Sequence, residues 1–152
     1  MRLISLTAIA AITAFPLFAH ADDRIEDALE ARHGYMTMLA INMGTLAGMA
    51  KGEIEYDEAA ASTAGANIEA LGNYAVSDLF IEGTANGEVD DSDALPAIWE
   101  NPDDFVQKFA DLGEAAAGAG EAVKGGQANV GPVVQKLGGT CKVCHDDYRK
   151  KD

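Results

Sequence analysis

Three residues near the end of the chain combine types that do chemistry with a spacing that lets them act together. Cys141 and Cys144 are the two cysteines of the 152-residue sequence, and His145 follows at once, in "GGTCKVCHDDYRKKD". Thiols three positions apart share one face of a helix. Each can add to a vinyl group of a porphyrin and become a thioether, both at one ring edge. The imidazole that follows is then held beneath the ring, where it can bind iron. The spacing predicts one covalently attached haem c, held by Cys141 and Cys144, with His145 as the proximal iron ligand. Other uses of the pair fit less well. A thioredoxin-type pair opens a helix in an α/β fold, whereas this one sits near a helix end in an all-helical pattern. A zinc site needs a fourth ligand, commonly from a second Cys/His pair, and nothing in the chain supplies one. A disulfide across so short a loop would add little stability.

Helices must position these groups. Ile25, Ala28, Leu29, Tyr35, Met36, Leu39, Met43, Leu46 and Ala50 recur mostly at steps of three and four. They predict a first helix over about 23–50 with one buried face and Gly52 as its stop. Arg32 falls on the same stripe. A second helix is predicted over about 57–80, weakened in its second half by Gly65 and Gly72. Residues 81–97, "IEGTANGEVDDSDALPA", read as a long loop whose acidic run is solvated and has no specific partner. A third helix should begin at Asn101-Pro102, with Asn101 as cap and Pro102 in the first position, and end near Gly125-Gly126. The last should run from a cap at Asn129 to about Lys150, with Val130, Val133, Val134, Leu137, Cys141, Cys144 and Tyr148 on one side. There is no strand pattern and no internal repeat. Two short connections and one long one predict an all-α fold: an antiparallel up-down-up-down four-helix bundle with covalently bound haem.

In such a bundle the end of the first helix and the start of the last lie together. Met36 stands as far before Gly52 as His145 stands after Asn129, roughly 24 Å at ~1.5 Å per residue. Met36 can therefore face a haem at the level of His145, which makes its thioether the candidate distal iron ligand. The plainer role of a methionine on a helix stripe is core packing. His33 lies one turn earlier on nearly the same face. Met43, roughly 10 Å further along, should be core. Met38, rotated about 200° from Met36, should point elsewhere.

These features resemble the class II cytochromes c, the cytochrome c′ family of four-helix haem proteins. The resemblance rests on "KLGGTCKVCHDDYRKK" in the final helix, the Arg32 region, "AKGEIEYD" at Ala50–Asp57 and "AIWENPDDF" at Ala97–Phe105. It covers essentially all of residues 22–152. It implies that Arg32 sits near a haem propionate and that Arg149, one turn after His145, lies near the proximal imidazole. It also implies that Met36 occupies the family's distal position. High-spin members carry an apolar, non-ligating residue there and leave iron five-coordinate; low-spin members carry a ligating methionine. By that resemblance the chain belongs with the low-spin branch, a carrier of single electrons whose haem c is six-coordinated by His145 and Met36. The alternative is a five-coordinate, high-spin cytochrome c′ that binds nitric oxide or carbon monoxide. No nucleophile, acid–base pair or substrate cleft marks an enzyme. Redox protein partners follow from the expected function, and relatives that pair through their first two helices leave a homodimer open.

The compartment and the charge agree with this. Arg2, an apolar run from Leu3 to Ala19 and Ala19-His20-Ala21 form a cleavable export signal. Residues 1–21 are the expected leader and residues 22–152 one domain, exported to the periplasm and not inserted in the membrane after cleavage. The whole chain carries a formal −14, and removing the leader takes away one base and no acid. Nucleic acid, itself a polyanion, is an unfavourable partner. Lys142, Arg149, Lys150 and Lys151 cluster around the cysteine motif. They serve either to offset the helix dipole or to guide an acidic partner.

Overall fold

The computed structural model describes residues 19–151, with side chains from Asp23 onward. Most of the expected leader lies outside the described residues; Ala19–Ala21 enter the first helix. The helices are α1 (Ala19–Lys51), α2 (Glu58–Gly72), α3 (Ala97–Glu100), α4 (Pro102–Ala116), α5 (Ala119–Ala122) and α6 (Val130–Tyr148). Four of them, α1, α2, α4 and α6, are long and pack in a closed ring of neighbours, α1 on α2, α2 on α4, α4 on α6 and α6 on α1. This is the expected four-helix bundle. The stripe on α1 faces inward as its periodicity requires: Ala28, Tyr35, Leu39 and Leu46 are buried. Gly52, at φ 74, stops the helix in the left-handed conformation that glycine adopts freely.

The second helix is shorter than its pattern predicts. It starts as expected, with Asp57 accepting a 2.8 Å bond from Ala60 N, but ends at Gly72 and not at Phe80. Asn73 stops it: its side-chain amide turns back to the Glu69 carbonyl at 2.8 Å, competing with the helix ladder. A 3-10 turn at Val76–Leu79 then redirects the chain. Gly65, which weakens the helix prediction, marks instead a close crossing. A Cβ there would lie 2.7 Å from Gly120 N, so only glycine lets α2 and α5 approach this far.

The third segment begins at Pro102 as expected, but Asn101 does not cap it. Its side chain bonds back to the Ala97 carbonyl. The helix breaks at Ala117, and Gly118, at φ 69, starts the short α5. Asn129 likewise precedes α6 without capping it; its amide donates to the Lys124 carbonyl at 2.6 Å. At the far end α6 stops at Tyr148, short of Lys150, because the chain turns extended at Arg149 and pairs with the long loop.

That loop corrects the prediction most. Its acids Asp90, Asp91 and Asp93 are exposed as expected, but the segment is no solvated connection without partners. Thr84, Ala85 and Ser92 are buried. Ser92 Oγ donates to the Thr84 carbonyl and Asn86 Nδ2 to the Ser92 carbonyl, each at 2.7 Å. Small hydroxyl and amide side chains supply the internal bonds that a helix or sheet would otherwise provide.

Candidate cofactor site

The last two turns of α6 bring Cys141, Cys144 and His145 to one wall of a cavity of about 640 Å³. The opposite wall comes from α1, where Arg32, Met36, Leu39 and Met43 face inward, and Arg149 closes the rim. Every residue expected at the site therefore lines one space, whose size falls in the range of ~300–1,000 Å³ usual for cofactor pockets. Of the other candidates, His33 stands exposed at the rim with Nε2 bonded to the Asp91 carbonyl at 2.8 Å. Met43 also packs on the bundle core. Met38 points away and is 48% exposed.

A third wall is aromatic. Phe80, delivered by the 3-10 turn, meets Phe105 edge to face at 4.7 Å; Phe105 in turn meets Phe109 and Tyr148, each at 5.2 Å. Tyr148 OH donates to Asp104 Oδ2 at 2.6 Å. Lys108 spans Asp104 at 3.4 Å and Asp147 at 3.7 Å. This group locks α4 to the end of α6 behind Cys144, which packs against the Phe105–Tyr148 cluster. Sequence reasoning did not find Phe80, Asp104 or Lys108 as site residues. The signal available was weak: Tyr148 lies on the α6 stripe, and Phe105 and Phe109 lie four apart on α4.

Burial dominates the electrostatics. Both cysteines are free thiols. Burial raises the pKa of Cys141, and that of Cys144 is pushed up to about 11, so both stay protonated until they react. The His145 pKa is lowered, first by desolvation and then by the charge of Arg149, which favours the neutral imidazole an iron ligand requires. Hydrogen bonding to Asp104 raises the Tyr148 phenol to about 12 and keeps it a donor. Arg32 is the anomaly. It is 5% exposed, its guanidinium carbon lies 4.8 Å from the centroid of the Phe80 ring, and its Nε and Nη2 have no hydrogen-bond partner. A buried cation with unused donors, lining a cavity, fits an anionic group on whatever fills that cavity.

Among the described residues, two of the four in the basic cluster near the motif form ion pairs. Lys142 bonds Asp146, and Arg149 meets Asp93 at 3.6 Å.

The sequence model of a family described as Cytochrome C′ matches residues 27–149. The chain belongs to the cytochrome c′ family. Cytochrome c-554 of Cereibacter sphaeroides is 44% identical over 93% of this chain and 92% of its own length. A cytochrome c′ of the same organism is 41% identical over 99% of this chain and 98% of its own. A solved cytochrome c′ from Rhodobacter Spheriodes, 42% identical, superposes with a TM-score of 0.79 over 84% of this chain and 98% of that one. The cytochrome c′ family carries covalent haem c, and the chain is accordingly an electron-carrying c-type cytochrome. The residues present fit that group: two free thiols and an imidazole on one wall, unsatisfied guanidinium donors on another. No helix among the described residues is long and apolar enough to cross a membrane.

Proposed function

We propose that residues 22–152, freed of a leader at 1–21, act in the periplasm as a six-coordinate carrier of single electrons. Cys141 and Cys144 hold the haem as thioethers, His145 is the proximal iron ligand and Met36 the distal one. When bound, the haem supplies a one-electron couple. The protein's residues set its surroundings. The Arg32 donors take a propionate, the Phe80, Phe105 and Phe109 wall excludes water, and burial, helped by the charge of Arg149, favours neutral His145. Two protein ligands retained in both redox states hold reorganisation down, and a thioether ligand favours ferrous iron.

The observation that carries this reading is Met36, on α1, lining the same cavity as His145, on α6. The test is Met36→Leu. The parent ferric protein should be low-spin and show a sulfur-to-iron charge-transfer band in the near infrared. The variant should lose that band, turn high-spin and bind carbon monoxide in the ferrous state. If the parent spectrum survives the substitution, Met36 is not the ligand.

A second reading has one specific support. A relative called cytochrome c′ is 41% identical over nearly the whole chain, close to the 44% of the relative called cytochrome c-554. On that reading iron is five-coordinate, and the apolar wall of Leu39, Met43 and Met36 forms a pocket for nitric oxide or carbon monoxide. High-spin ferric iron in the untouched parent would favour it.

A further inference from the structure

The segment from Thr84 to Leu95 is attached to both helices that carry the proposed axial ligands. On the α1 side, His33 Nε2 bonds the Asp91 carbonyl at 2.8 Å. A carbonyl only accepts, so Nε2 carries the proton. On the α6 side, Lys150 N donates to the Asp93 carbonyl at 2.8 Å and Leu95 N to the Tyr148 carbonyl at 2.9 Å. The Asp93 carboxylate also meets Arg149. Between these anchors the segment is braced by Asn86 N on the Ala94 carbonyl at 2.7 Å and by the bonds among Thr84, Asn86 and Ser92. Bonds internal to the segment hold it in one shape, so a displacement at one anchor is passed to the other.

Asp91 adds a separate indication. It has φ 58, the one positive φ outside glycine among the described residues. Aspartate tolerates the left-handed region better than most residues, but it still holds that conformation only where its surroundings fix it. The residue so fixed is the one whose carbonyl His33 takes.

No loop joins α1 to α6, yet a site ligated from both depends on their spacing. His33 lies one turn before Met36 on nearly the same face. A tie there sets the turn of α1 that carries Met36 against the end of α6 that carries His145.

We propose that residues 84–95 are a strap between α1 and α6, and that His33 is a positioning residue that acts through it to keep Met36 within ligating reach. The proposal rests on Met36 ligation. Because His33 is exposed, its replacement leaves the core intact, and the unfolding midpoint serves as a control for folding.

The experiment is a double-mutant cycle on the haem-loaded protein, read as the carbon monoxide association rate of ferrous protein and the near-infrared sulfur band of ferric protein. His33→Leu should speed carbon monoxide binding about fivefold, equivalent to ~1 kcal/mol at about 1.36 kcal/mol per tenfold, and weaken the sulfur band. His33→Gln, which keeps an N–H donor, should restore part of both. In a Met36→Leu background, His33→Leu should change nothing, because no ligand is left to position. Equal acceleration in both backgrounds would make the segment a lid over the cavity and overturn the proposal, as would parent-like rates in His33→Leu. A parent that already binds carbon monoxide at the Met36→Leu rate removes the ligation reading itself. That outcome is read before His33 is touched.

Discussion

The two ends of the bundle are built on opposite terms. At the closed end, where α1 turns into α2 and α6 begins, Leu46, Val123 and Val130 are fully buried. The polar groups there find partners: Tyr56 OH donates to the Val123 carbonyl at 2.9 Å and Gln127 Nε2 to the Met49 carbonyl at 2.7 Å. At the open end the cavity carries a buried guanidinium with unused donors and two free thiols. One end is satisfied by the chain alone, and the other only by a bound group. The cofactor must therefore stabilise the fold as well as perform its task, since whatever binds only the native state shifts the unfolding equilibrium.

The strongest challenge to that contrast is Leu46→Ala. It should lower stability by ~2–5 kcal/mol, equally with and without haem, while leaving the visible spectrum unchanged. Urea unfolding of both forms checks this; a loss confined to one form would join the two ends. Arg32→Leu should have a smaller effect with opposite signs. The haem-free protein should gain ~1–3 kcal/mol by losing an unsatisfied buried group, whereas the haem-loaded protein should lose stability if Arg32 holds a propionate as proposed. A haem-free variant weaker than the parent would mean that Arg32 already has its partners. Tyr148→Phe should be the mildest, and it depends on pH. The Asp104 pKa is lowered chiefly by the phenol's hydrogen bond. Its contribution is therefore present above the unfolded carboxylate value near 3.9 and is lost as pH falls through the lower folded value. The gap in stability between parent and variant should be widest at neutral pH and close below about pH 4. A gap that does not vary with pH would remove Asp104 from the account.

The closed end was largely legible in the sequence because its code is periodic. The α1 stripe and the run of Val130, Val133, Val134 and Leu137 point where their spacing says. At the open end the motif residues were legible for a different reason: Cys141, Cys144 and His145 are scarce types at a spacing few other uses require. Arg32 was conspicuous as a charge on an apolar stripe. What stayed hidden depends on individual side-chain and backbone contacts, some local and some distant, that periodicity does not encode. Asn73 ends α2 through a side-chain bond that competes with good helix formers, so periodicity runs past it. Gly65 reads locally as weakness, and only the crossing with Gly120 gives it a purpose. The loop's acids do face water, but its anchors are backbone groups and small hydroxyls, which composition reads as solvent-facing. Asn101 and Asn129 stand where caps belong and bond elsewhere, because an amide side chain has several carbonyls within reach.

The thiols sit on α6, the last helix, while Arg32 and Met36 sit on α1, the first. A ribosome makes the chain in that order, so Arg32 and Met36 are made before the thiols proposed to secure the haem. A polypeptide interrupted between α1 and α6 holds the guanidinium and the thioether but lacks both thiols. Fragments would wash out colourless. With attachment through Cys141 and Cys144, the red of a purified preparation becomes a certificate of translation: each molecule that keeps its pigment was read through to its final helix.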